Sequence, residues 1–127
     1  MDEHEHHEQL IADISEEFKE IFEKSPQGIY IYLDDAHKTC NKKFAKMLGY
    51  KSVKEWMDTD TPVEDVEKTS RDLVINAYFE AMSKGTGASF DMKFKSRKGK
   101  SGKAGIILVP ISFQGHNFAL HFITEKK

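Results

Sequence analysis

A chain of 127 residues and 14.6 kDa has room for one domain around one core. Hydrophobic residues at 39% and charged residues at 31% exclude a disordered chain. The longest apolar run, Ile106 to Ile111, is far below the roughly 20 residues of a transmembrane helix, so no membrane partner is expected. With 19 basic residues against 21 acidic ones, no overall field draws the chain to nucleic acid. The start, Asp2 to Glu8, is acidic and polar, unlike a secretory signal, and a cytoplasmic protein is expected. A lone Cys40 forms no internal disulfide and leaves no cysteine-based metal cluster.

Ile11, Ile14, Phe18 and Ile21 recur at spacings of three and four, with Leu10 and Phe22 beside them, which predicts an amphipathic helix over about Glu8 to Lys24. Ser25-Pro26 stops it. Gly28 to Leu33 alternates aliphatic residues with tyrosine and reads as a strand apolar on both faces. Asp34 to His37 reads as the turn into a short strand at Lys38 to Cys40. Asn41 can cap a helix carrying Phe44, Met47 and Leu48 that Gly49 ends. Ser52 to Glu55 has capping-box spacing for a short helix with Trp56 and Met57. A longer helix, about Val66 to Lys84, shows Leu73, Val74, Ala77, Tyr78 and Ala81 at helical spacing. Ser89 to Lys95, Ala104 to Phe113 and Phe118 to Thr124 read as three strands joined by short polar connections, an antiparallel meander.

These elements make an α+β fold, a five-stranded antiparallel sheet with a helical insert on one face. The N-terminal amphipathic helix, residues 1–24, is set apart as a cap or dimerisation element, and residues 25–127 form the domain proper. Because Gly28 to Leu33 and Ala104 to Phe113 are apolar on both faces, something must cover the second face. The N-terminal helix is the available cover, on its own sheet or on a neighbour's.

Ser25-Pro26-Gln27-Gly28-Ile29, Asn41 to Tyr50 as N-x-x-F-x-x-x-x-G-Y, the hairpin Ser96-Arg97-Lys98-Gly99 and the end Ile123-Thr124-Glu125 come in this order along the chain. As an ordered set they resemble the Per-Arnt-Sim (PAS) domain family across roughly residues 16 to 127. Two departures stand out: Asp34 to Lys38 lacks the glycine of the family's first hairpin, and Phe122 stands where the family carries an aspartate. The resemblance implies a stand-alone sensing or interaction fold whose output is open. Flavin-binding light sensors of that family use a cysteine within a helix motif, whereas Cys40 precedes Asn41 at a strand end. Haem-binding members mostly use a histidine of the long insert helix, and none of the six histidines lies between Lys38 and Gly115. Covalent flavin and histidine-ligated haem are therefore disfavoured, and the cofactor is left unknown.

Other clusters have bland readings. His4, His6 and His7 alternate with acids, but a terminal segment reads as a solvated tail, and no native metal is expected there. Asp34, Asp35 and His37 are hairpin residues before they are an acid–base group. Gly99-Lys100-Ser101 lacks the first glycine of a phosphate-binding loop. The basic stretch Lys93 to Lys103 reads as a solvated hairpin, because no aromatic is interleaved within its tip.

What remains is a ligand-binding surface between sheet and insert. From the sheet it takes Ile29, Ile31, Phe90, Met92, Phe94, Ile106, Leu108, Phe118 and Leu120; from the helices, Phe44, Met47, Leu48, Trp56, Met57, Leu73 and Ala77. A ligand there would be small and hydrophobic or aromatic, oriented by a group such as Tyr78 or Asn76. The same set equally describes a filled core, and Leu108→Trp separates the two. Ile11, Ile14, Phe18, Ile21 and Phe22 form the expected homodimer interface. The expected function is a sensor that binds such a ligand, or a signalling partner, and acts through dimerisation. A ligand-free interaction domain is the alternative. An enzyme is not expected, since that surface holds no titratable group with a partner.

Overall fold

The computed structural model describes residues 2–126. In chain order the elements are α1 (Glu3–Glu17), α2 (Lys19–Lys24), β1 (Gly28–Asp34), β2 (His37–Cys40), α3 (Lys42–Met47), α4 (Val53–Met57), a 3₁₀ turn (Pro62–Asp65), α5 (Lys68–Lys84), β3 (Ala88–Lys95), β4 (Ser101–Phe113) and β5 (His116–Lys126). The five strands form one sheet in the order β2-β1-β5-β4-β3, every pairing antiparallel. All of the insert, from α3 to α5, lies between β2 and β3 in sequence, as expected. No helix among the described residues is long and apolar enough to cross a membrane.

The N-terminal helix begins earlier than its apolar stripe suggests. Asp2 caps it by accepting from the Glu5 amide at 2.8 Å, with Glu3 and Glu5 favourably placed in the first turn. It also breaks at Phe18 into two helices. One turn before the break, the Ser15 hydroxyl donates back to the Ile11 carbonyl at 2.7 Å, an arrangement that bends helices. Leu10, Ile11 and Ile14 are buried against Ile29, Ile31, Phe118 and Leu120 of the chain's own sheet. The second sheet face is thus covered in part by the same chain. Ile11 and Ile14 are thereby spent in the core and are corrected as interface residues; burial of two isoleucines contributes several kcal/mol that dimerisation would forfeit. Phe18 and Phe22 are partly buried on the same face, and only Ile21 stays exposed.

Asn41 joins the two layers. Its side-chain oxygen accepts from the Phe44 amide, capping α3, and from the Ile29 amide of β1, both at 3.0 Å. Its side-chain nitrogen donates to the carbonyls of Gln27 at 3.0 Å and Phe22 at 3.3 Å. Gly49 follows α3 with a φ of 81°, the left-handed conformation a glycine adopts without strain. Ser52 caps α4 as its spacing predicts, while Glu55 reaches the amide of Lys51, one residue before the cap. Lys38 is buried, and its ammonium donates to the carbonyls of Asp35, Met57 and Thr59, tying the end of α4 to the first hairpin.

Candidate functional site

A cavity of about 210 Å³ lies between the sheet and the insert. β1 supplies Tyr30 and Tyr32, β5 His121 and β3 Met92; α3 supplies Phe44 and Leu48, and α4 Trp56. Pro62, Val63, Asp65 and Val66 close one side, and Val74, Ile75, Tyr78 and Phe79 of α5 the other. Ile75 and Phe79 are exposed, so the mouth is apolar and faces solvent between the 3₁₀ turn and α5. For scale, an apolar cavity of about 150 Å³ admits benzene.

The floor is aromatic. Tyr30 stacks on His121 with ring centroids 3.8 Å apart and an interplanar angle of 10°. Its other neighbours are Phe44 at 4.7 Å and Trp56, edge-on, at 5.7 Å. Burial holds the Tyr30 phenol far above its ordinary range and pushes His121 down to about 3, so both are neutral at neutral pH. The Nδ1 of His121 lies 3.1 Å from the Ala119 carbonyl, which can only accept, so that nitrogen carries the proton.

The polar rim has two pairs. Tyr32 donates to Asp35, and its phenol is raised first by burial, then by that carboxylate. Tyr78 donates to the Leu33 carbonyl at 2.9 Å and meets Tyr32 edge-on at 5.1 Å. On the opposite side Tyr50 donates to the buried Asp65. Burial raises the Asp65 carboxyl, while that hydrogen bond and Arg97 lower it in part. The Arg97 guanidinium lies over the Tyr50 ring at 4.9 Å, and its amide donates to the Leu48 carbonyl at 2.8 Å. The basic hairpin is therefore attached to the insert beside the cavity.

Of the expected ligand-binding residues, Phe44, Leu48, Trp56 and Met92 line the cavity. Met47, Phe90, Phe94 and Ile106 belong to the same core behind that lining. The others are corrections. Ile29, Ile31, Phe118 and Leu120 face α1 on the opposite side of the sheet. Leu108 and Ala77 pack with Ala81 and Ala119 under α5, outside the cavity. Leu73 is 46% exposed and Asn76 is exposed; α5 turns its Val74 face inward instead. Met57 touches the cores on both sides of the sheet, where the Thr39 hydroxyl reaches its sulfur at 3.8 Å.

Tyr30, Tyr32 and His121 were outside the expected set. Their signal was present: they alternate with the aliphatic residues on β1 and β5, and cross-strand pairing places Tyr30 opposite His121. With Asp35, Asp65 and His121 at the cavity, titratable groups with partners are present after all, contrary to the premise drawn from sequence. Cys40 is buried and its thiol is pushed up to about 12, a poor nucleophile at neutral pH.

A family model described as a PAS domain matches residues 16–82. Among solved structures, the PAS domain of an HTR-like protein from Haloarcula marismortui is 19% identical, with 96% of this chain and 99% of that one covered and a TM-score of 0.68. A PAS domain from Colwellia psychrerythraea is 16% identical, covering 90% and 98%, at a TM-score of 0.70. The Vibrio cholerae VqmA dimer, a LuxR-type receptor, is 11% identical over 87% of this chain and 51% of that one, at a TM-score of 0.69. No curated protein matches the sequence.

Proposed function

Because this chain belongs to the PAS domain family, we propose that it is a cytoplasmic sensor module that takes a small, neutral aromatic or apolar molecule into the cavity and answers through a homodimer. The cavity itself carries this reading: about 210 Å³ of space behind an apolar mouth, with an aromatic floor and a few convergent polar groups. Stacking on the neutral Tyr30, His121 and Trp56 rings favours a planar ligand, and the Tyr32–Asp35 and Tyr50–Asp65 pairs at the rim would select one with a hydrogen-bonding edge.

The dimer is assigned to the outer sheet face left bare by α1 and α2. Ile107 and Val109 of β4 are exposed there, in register with Phe122 and Leu120 of β5, and Ile21 is exposed on α2. A second copy covering this patch would remove several large aliphatic side chains from water. The same patch supports the second reading, a ligand-free interaction domain.

Native mass spectrometry of protein purified without refolding tests both parts. A dimer carrying a discrete extra mass supports the sensor. A dimer at bare polypeptide mass, unchanged on adding small aromatics, overturns the ligand part and leaves the interaction domain.

A further inference from the structure

At one end of the sheet the folded N-terminus meets the two hairpins. His4, His6 and His7 of α1 come against His37, just after the β1–β2 turn, and His116, just after the β4–β5 turn. A solvated tail was expected from the sequence, but α1 is capped at Asp2 and helical from Glu3, which holds these rings in place.

We propose that this end binds one divalent transition metal ion of the zinc class through His7, Asp34 and His37. One donor atom from each of the three lies within 4.8 Å of the others. The Nδ1 of His37 is 2.7 Å from one Asp34 oxygen, and the Nδ1 of His7 is 3.9 Å from the other. A tetrahedral ion with bonds of about 2.0–2.2 Å spaces its donors about 3.3 Å apart, so the cluster reaches that geometry by small side-chain rotations. Imidazole nitrogens with one carboxylate are the donor set that suits Zn²⁺ and its neighbours, and the fourth position is left to water.

The surroundings orient these donors. The Asp34 carboxylate also accepts from the Ala36 amide at 2.9 Å, which fixes it at the turn. With its Nδ1 on the metal, His37 offers its Nε2–H to the Nδ1 of His4 at 2.8 Å, and the Nε2 of His4 lies 2.8 Å from Glu8. A hydrogen-bond acceptor on the ligating histidine's other nitrogen fixes its tautomer and raises its basicity, and His4, itself held by Glu8, takes that place here. His37 is buried, so its ring is held by the fold. The ion would bridge α1 to the β1–β2 hairpin and so stabilise the cover of the sheet.

The test is calorimetric titration of the full, metal-stripped chain with Zn²⁺ at about pH 7.5, where imidazole is neutral. One ion per chain in the micromolar range or tighter is expected, with a rise in thermal midpoint that EDTA reverses. His7→Gln, Asp34→Asn and His37→Gln should each weaken binding about tenfold or more, circular dichroism confirming that each variant is folded. The Asp34 side chain is 45% exposed and Asn keeps its shape, so Asp34→Asn keeps the test decisive if the more buried His7 and His37 positions do not tolerate change. Absence of saturable binding overturns the proposal. So does a terminal histidine-rich site, seen as affinity lost in His6→Gln but kept in Asp34→Asn.

Discussion

Tyr30 and His121 are direct cross-strand partners on β1 and β5, and their rings lie face to face at 3.8 Å. Each fills space the other needs, and together they make the floor of the cavity.

This stack makes stability depend on pH in a defined direction. Burial lowers the folded His121 value to about 3, against an ordinary 6.5. Below about 6.5 the unfolded chain gains a proton that the folded chain refuses, so stability is full above that value and falls as pH drops toward 3. The slope from this group is about 1 kcal/mol per pH unit. His121→Phe keeps a ring and removes the proton site. Urea unfolding between neutral pH and about pH 4.5 should show a steeper decline for the parent than for the variant. Equal slopes would mean that His121 is not held neutral.

Cavity and core respond differently to added bulk. Val74 lines the cavity, so Val74→Phe should cost less than about 1 kcal/mol, the ring occupying open space. Leu108 is enclosed by Ala77, Ala81 and Ala119, so Leu108→Trp should cost about 1–3 kcal/mol by overpacking. Val74→Phe should also abolish retention of any co-purified small molecule. Similar losses from the two substitutions, measured by denaturant midpoint, would show that the space is not open.

Asn41 satisfies two amides and two carbonyls at once. Asn41→Ala leaves the Ile29 amide short of one partner and uncaps α3, with an expected loss of about 2–4 kcal/mol. Asn41→Asp keeps both acceptor bonds but sets a carboxylate against the Phe22 and Gln27 carbonyls. Its deficit should be smaller at acid pH, where the protonated acid can donate to one of them. A deficit that grows or stays constant on acidification would show that the donor side of Asn41 contributes little.

Element order and caps were legible because they depend on local signals: the Asn41 and Ser52 caps, Gly49, and the alternation on β1, β3 and β5. The site was legible only in part, because alternation gives the two faces of a strand without saying which one meets the insert. The expected surface takes Ile29 and Ile31 from β1. The aliphatic face of α1 instead takes them, and the tyrosines go where Asp35 and the Leu33 carbonyl can serve the rim hydroxyls of Tyr32 and Tyr78. On α5, adjacent Leu73 and Val74 are equally apolar, and only packing against the sheet decides that Val74 turns inward. The histidine cluster was hidden for another reason: its members are over a hundred residues apart in sequence at the extreme, His6 and His116 meeting at 3.0 Å only through the fold.

The outer face gives the last prediction. Ile107 and Val109 pair in register with Phe122 and Leu120, beyond the reach of α1, so the uncovered part of the sheet is a patch on β4 rather than the helix stripe. A charge there opposes a homodimer without disturbing the core, because Ile107 is 48% exposed within the chain. Ile107→Glu should therefore shift sedimentation from dimer to monomer while thermal stability of the isolated chain changes by no more than about 0.5 kcal/mol. Ile14→Ala, at a fully buried position on the sheet-facing side of α1, should instead destabilise the fold by about 2–5 kcal/mol. If the dimer survives Ile107→Glu and is lost selectively in a folded Ile21→Glu protein, the contact belongs to α2 alone and the sheet patch serves another partner.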